Sequence, residues 1–269
     1  MSEQPTIYFH VGLGKVASTY LQTEVFPKLQ GIHYISTHRY KKSTEIIPRL
    51  DAKKTLVSRE FDRQLEEEVR WFTTSYPQAR IIMVLRRHDH WIASQYKRHV
   101  KNGYYHPFES FLDLVNDHGY WGKKELNYSA KWEIIEECCE HAPLVLYYDD
   151  LKNDPQRFLN DLTSYLGVEK PTNISTRVVH RSFEEKQLKV LRSFCRKFIR
   201  VVPTNHTNKW KHWLLYRPVW LCYHLILYVS LLIPDFLVSN EPLIPQESLD
   251  QVRKEFDEDW KAMKAKSKE

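Results

Sequence analysis

No apolar run occupies the first twenty residues, where charge and glycine interrupt every stretch, so nothing there has the pattern of a secretory leader. The four cysteines (Cys138, Cys139, Cys195, Cys222) lack the paired spacing of a zinc site. Cys138 and Cys139 are adjacent on an expected helix and badly placed to bridge each other. This usage fits a reduced, cytoplasmic protein. Internal repeats and low-complexity segments are absent. The longest apolar run, Val219–Ile233, has 15 residues, contains His224 and is bounded by Pro218 and Pro234. As a helix it would reach about 22 Å, short of the roughly 30 Å hydrocarbon layer, so it is not assigned as a span. A strong charge of one sign is also missing. Forty basic residues against 34 acidic give +6, too weak and dispersed for nucleic acid but suited to an anionic ligand or membrane surface. Three sequons (Asn127, Asn173, Asn205) would matter only in a secretory compartment.

What is present begins with size. At 269 residues the chain can bury one α/β domain, or a domain with a subdomain. Strand-like runs are Ile7–Val11, Ile32–Ile35, Thr55–Ser58, Ile81–Leu85 and Leu144–Tyr147. Helical spacing falls between them, at Ser18–Leu29, Phe61–Ser75, His88–Lys101 and Tyr128–Glu140. Asp154-Pro155 predicts a capped helix over Pro155–Leu166 that stops at Gly167. Strands alternating with such helices imply a three-layer α/β fold, a parallel sheet flanked by helices, with ligands at the carboxyl ends of the strands.

The character changes after Pro171. Phe183–Ile199 has the pattern of a basic amphipathic helix, and a charged helix is expected from Gln246. The division expected is a core over 1–182 and a helical extension over 183–269, with the apolar segment 213–238 packed on the core. Two readings of that segment stand. It is a buried core helix or hairpin, or it docks on a membrane through 209–238. Lys209, Lys211, His212 and Arg217, with the neighbouring tryptophans and tyrosines, favour the second.

The chemistry concentrates in IYFHVGLGKVASTYL, residues 7–21. A β-rich run breaks at Gly12 and Gly14, a lysine follows, and Ser18-Thr19 opens a helix. Glycines permit a tight turn, and free N–H groups at a helix start favour an anion. Lys15 adds a positive charge, and Ser18 and Thr19 add hydroxyl donors. A triphosphatase loop places Ser or Thr directly after the lysine to hold magnesium; here Val16 and Ala17 intervene. A second constellation is LRRHDHWIASQYKRHVKNG, in which strand Ile81–Leu85 runs into Arg86-Arg87 and Ser94 follows eight residues after Arg86. Arg86 at a strand end suits bidentate phosphate binding. Two phosphate sites at one sheet edge suit a ribose phosphorylated at 5′ and 3′.

Together with LVLYYDDLKNDPQRFLNDLTSYLGV (144–168), these motifs resemble the sulfotransferases that use 3′-phosphoadenosine 5′-phosphosulfate. The resemblance spans about residues 6–182 and is nearest to bacterial members acting on carbohydrates or lipids. It implies a P-loop nucleotide-binding type of fold with the cofactor held by Gly12, Gly14, Lys15, Val16, Ala17, Ser18, Thr19, Arg86 and Ser94, and no metal. Position 17-18 is Ala-Ser where the family usually has Gly-Thr. Arg86-Arg87-His88 stands where Arg-x-Pro is usual, and only Asn205–Lys211 is available as a counterpart of the family's late glycine-rich loop.

The resemblance implies sulfuryl transfer to a hydroxyl of a saccharide, glycolipid or other lipid-linked acceptor, with Lys15 stabilising the leaving phosphate. The acceptor needs a base, and Glu60, just past the third strand, is the candidate, with His10 and His33 as rivals. Arg59 is placed to orient the base or bind an acidic acceptor. The expected location is cytoplasmic, with peripheral contact at the inner face of a membrane under the second reading of 209–238. A kinase-like phosphotransferase and a non-catalytic, membrane-associated nucleotide binder are the alternatives.

Overall fold

The computed structural model describes residues 5–174, 183–199, 210 and 212–267. The chain divides into two compact units. The first comprises Met1–Arg87, Lys124–Val179 and Phe256–Glu269; the second comprises His88–Lys123 and His180–Glu255. The boundary expected after residue 182 falls in a stretch outside the described residues, as does Asn205–Lys211 except Trp210.

The first unit is built on five strands: β1 (Thr6–His10), β2 (His33–Ile35), β3 (Lys54–Ser58), β4 (Arg80–Leu85) and β5 (Leu144–Tyr147). All pairings are parallel, in the order β2-β3-β1-β4-β5. Each strand is a near-continuous apolar run because both faces of a parallel sheet are covered. On one face Phe9 lies 4.2 Å from Phe72 and stacks on Tyr40 at 5.5 Å, ring centre to ring centre. Phe72 comes from helix Leu65–Ser75, whose buried residues Leu65, Val69 and Phe72 keep the helical spacing. Tyr8 and His10 point to the other face, where the helical turns Ser18–Tyr20, Leu21–Val25 and Phe26–Lys28 run on without a break.

The helix expected from Phe61 begins instead at Leu65. The physical reason is a pair of backbone hydrogen bonds. Arg59 N–H donates to His10 O and Phe61 N–H to Gly12 O, at 3.0 and 3.1 Å, so the chain stays extended past the end of β3. Helix Pro155–Leu166 has its expected bounds, with Asp154 accepting from Arg157 N–H and Gly167 left-handed at φ 60°. Asn127, a sequon position, is the cap of helix Tyr128–Cys138 and accepts from Ala130 N–H.

The strand order puts a switch point between β1 and β4. The chain leaves β1 toward β2 on one side and leaves β4 toward β5 on the other, so a crevice opens above their carboxyl ends. Register sets the heights there. His10 is level with Ser58 and Ile82, so β4 continues three residues beyond β1 before reaching Arg86. Arg86 therefore stands about 13 Å above the His10 level, beside the loop that follows β1.

In the second unit helix Glu185–Phe194 packs against helices His88–Lys101 and Arg217–Val229. A capping box between Glu184 and Gln187 starts it. Arg192 donates to Tyr96 Oη and to Leu243 O, tying it to its neighbours. An aromatic cluster around Tyr96, Tyr104, Phe108 and Phe111 fills the space beside helix His88–Lys101.

Candidate nucleotide-binding site

The loop after β1 is strained, but not at its glycines. Lys15 and Ala17 both take φ 69°, in the left-handed region, whereas neither Gly12 nor Gly14 does. Gly12 serves close packing instead. A Cβ there would lie 2.7 Å from His10 Nε2 and 2.8 Å from Ser18 Oγ. Left-handed backbone at two non-glycine residues costs on the order of 1–2 kcal/mol each, and such strain concentrates at functional loops.

The loop is held from below and from the side. Ser18, buried, donates its hydroxyl to Leu13 O at 3.1 Å. Asp62 Oδ1 accepts from Gly14 N–H at 3.0 Å. The Gly14 amide is thereby engaged with a carboxylate, which fixes the loop's shape. Lys15 and Thr19 are exposed, and Val16 is fully buried. An apolar Val16 side chain cannot ligate a cation where a magnesium-binding hydroxyl would stand in a triphosphatase loop.

Beneath the loop lies a buried polar chain. His10 Nδ1 is 2.9 Å from Ser58 Oγ, which also accepts from Gln22 Nε2 at 3.1 Å. Ser58 O accepts from Thr37 Oγ1. With its oxygen accepting from Gln22, the Ser58 hydroxyl can donate to His10 Nδ1, which leaves the ring N–H on Nε2 beside Gly12. His10 Nε2 is buried without a hydrogen-bond partner among the described residues. Complete burial depresses the His10 pKa to about 3, so the ring is neutral and a weak base at ordinary pH. His33, the other rival for the base, is the first residue of β2, at the amino edge of the sheet. Glu60 is half-buried between the two residues whose N–H groups bond His10 O and Gly12 O. Alternation directs it away from Phe61 and the Phe9 cluster. It thus stands at the carboxyl edge, alongside the loop.

Arg86 meets this loop. Its Nη1 is 3.4 Å from Lys15 O, a long contact, and its guanidinium carbon lies 4.5 Å from the centre of the Tyr148 ring. Tyr128 Oη donates to Arg86 O at 2.8 Å. Arg86 Nε is buried with no hydrogen-bond partner among the described residues. A planar donor held on both sides with an unused N–H is a fitting receptor for an oxyanion. Ser94 is half-buried on helix His88–Lys101, in the second unit. The first unit therefore gathers Gly12, Gly14, Lys15, Val16, Ala17, Ser18, Thr19, Glu60 and Arg86 at one sheet edge. Sequence reasoning missed Ser58, Gln22 and Asp62. Single polar residues at a strand end, in a helical turn and in a loop carry no periodic signal, and their partners lie far off in sequence: His10 for Ser58, Ser58 for Gln22 and Gly14 for Asp62.

Scanning the chain against known family models and against curated proteins gives no match. Solved structures do match. A sulfotransferase from Alicyclobacillus acidocaldarius aligns with TM-score 0.52 at 14% identity, over 71% of this chain and 92% of that one. The mouse sulfotransferase SULT7A1 complexed with PAP aligns with TM-score 0.43 at 18% identity, over 61% of this chain and 60% of that one. The first likeness shows that the chain shares the sulfotransferase fold, a parallel α/β sheet flanked by helices.

Proposed function

We propose that this protein is a sulfotransferase that moves a sulfuryl group from 3′-phosphoadenosine 5′-phosphosulfate to a hydroxyl of a saccharide, glycolipid or other lipid-linked acceptor. The observation that carries the proposal is the pairing of the strained Gly12–Thr19 loop with Arg86 at the switch point between β1 and β4. The fold shared with a bacterial sulfotransferase supports it.

In this reading the loop and Lys15 hold the 5′-phosphosulfate, and Arg86, which the sequence resemblance pairs with Ser94, holds the 3′-phosphate. The acceptor oxygen attacks sulfur in line as the bond from sulfur to the 5′-phosphate oxygen breaks. The hydroxyl proton passes to Glu60, and adenosine 3′,5′-bisphosphate leaves with its new charge facing Lys15. Val16 disfavours the kinase-like alternative, since the magnesium-binding hydroxyl has no counterpart.

Calorimetry with adenosine 3′,5′-bisphosphate against ATP with magnesium tests the reading. Selective binding of the bisphosphate is expected, and preference for ATP would sink it. Glu60→Ala is expected to keep bisphosphate affinity while turnover falls by roughly 10²-fold or more. Unchanged turnover would remove Glu60 from the mechanism. Bisphosphate binding with no sulfuryl transfer to any hydroxyl acceptor would favour the non-catalytic binder.

A further inference from the structure

The second unit carries an apolar surface that the proposed transfer does not use. The helical stretch Trp213–Leu232 runs for 20 residues, yet only 17% of its apolar window is buried. Its burial is one-sided. Tyr223, Leu227 and Ser230, spaced four and three apart, face inward. Gly103 touches the Tyr223 ring, and Gln187 Nε2 donates to Leu227 O at 2.7 Å. The opposite stripe, Leu221, Leu225, Tyr228 and Leu232, repeats at four, three and four and is exposed. A soluble amphipathic helix would turn polar residues to water there. The reading of this segment as a buried core helix does not fit that exposure.

The surface extends beyond the helix. Trp210 is exposed before it, Trp213 at its first residue, Phe236 after it, and Phe198 on the turn Cys195–Ile199. Charge identifies the occupant. From Lys186 to Phe236 the sequence holds nine lysines and arginines and one acidic residue, Asp235, which pairs with Lys186. Among the described members, Lys197 and Arg217 are exposed. A two-fold contact with a second copy would set these cations against themselves. An anionic bilayer complements both features, since cations meet lipid phosphates while leucines and aromatic rings enter the boundary below them. By length the helix could cross a membrane, at about 30 Å. Its inner stripe is instead bound to helix Glu185–Phe194, and Lys186 on that helix pairs with Asp235 at 2.8 Å just beyond its end. Such a helix lies flat with one face in lipid.

We propose that the exposed face of Trp213–Leu232, with Phe198 and Phe236, docks this protein on the surface of an anionic phospholipid bilayer. This stands apart from the transfer chemistry, because it concerns other residues and is read without turnover.

Co-sedimentation of the full chain with phosphatidylcholine vesicles, with and without phosphatidylglycerol, tests it. Binding is expected to the mixed vesicles, to weaken with salt, and to be slight on phosphatidylcholine alone. Leu221→Glu with Leu225→Glu is expected to lower affinity at least about tenfold. Lys197→Glu with Arg217→Glu, at exposed positions that leave folding intact, should cost roughly fivefold per charge on anionic vesicles. Calorimetric affinity for adenosine 3′,5′-bisphosphate should be the same in all variants. Failure of the full chain to bind anionic vesicles overturns the proposal, as does binding that neither variant weakens. A wild-type dimer that the leucine variant converts to monomer, with no vesicle binding, overturns it in favour of self-association.

Discussion

Ala17 carries a left-handed backbone at φ 69° with a methyl group that glycine would not have. The left-handed region costs an L-residue about 1–2 kcal/mol, and glycine's extra unfolded-state freedom offsets about 0.5–1 of that. Ala17→Gly should therefore stabilise the protein by up to about 1 kcal/mol, a rise in melting temperature of roughly 2–4 °C. Thermal unfolding checks this; a lower melting temperature would mean that the loop bears no strain at this residue. Lys15 carries the same φ, but its ammonium is what the proposed site needs, so the strain there belongs to the function. Gly12, by contrast, is required by its neighbours His10 and Ser18 rather than by its own torsion.

Among the elements, the helix Arg217–Val229 shows how close approach at a glycine helps seat a helix. Gly103 has φ 95°, and a Cβ there would lie 2.5 Å from the Tyr223 ring. Gly103→Ala must displace Tyr223 or the turn, and overpacking of this kind costs about 1–3 kcal/mol. Lowered stability in denaturant is the expected outcome, and an unchanged midpoint would show that the helix does not need this close approach. The strand ends act likewise as elements. The β1–β3 ladder continues through Arg59 and Phe61, and that continuation, rather than any helix start, sets Glu60 beside the loop.

At the scale of the whole molecule, one buried ring affects the stability of the fold. His10 titrates at about 3 when folded against about 6.5 when unfolded. Between these values the unfolded chain binds the extra proton, so stability rises with pH through the window and falls as pH drops below about 6.5. The loss should amount to about 1–2 kcal/mol between pH 6.5 and 5. Urea midpoints at both pH values, for wild type and for His10→Gln, measure it. The variant should show a flatter dependence, and equal slopes would place the acid sensitivity elsewhere.

Among the described residues, the five strands of the parallel sheet and most of the longer helices followed from the sequence alone. Apolar runs and helical spacing are local signals, and Pro155 and Gly167 act on their own backbone. The same holds for the loop, because Gly12, Gly14, Lys15 and Ser18 are contiguous. Only the tertiary structure decided which residues in it are strained, that Asp62 holds the Gly14 amide, and that His10, Ser58 and Gln22 form one buried chain. The strain is a property of the closed loop, and the side-chain contacts join residues far apart in sequence, which no periodicity encodes. The segment 213–238 divides the same way. Composition left it between core and membrane, and the stripe that its inner residues occupy determined which apolar face is left to solvent.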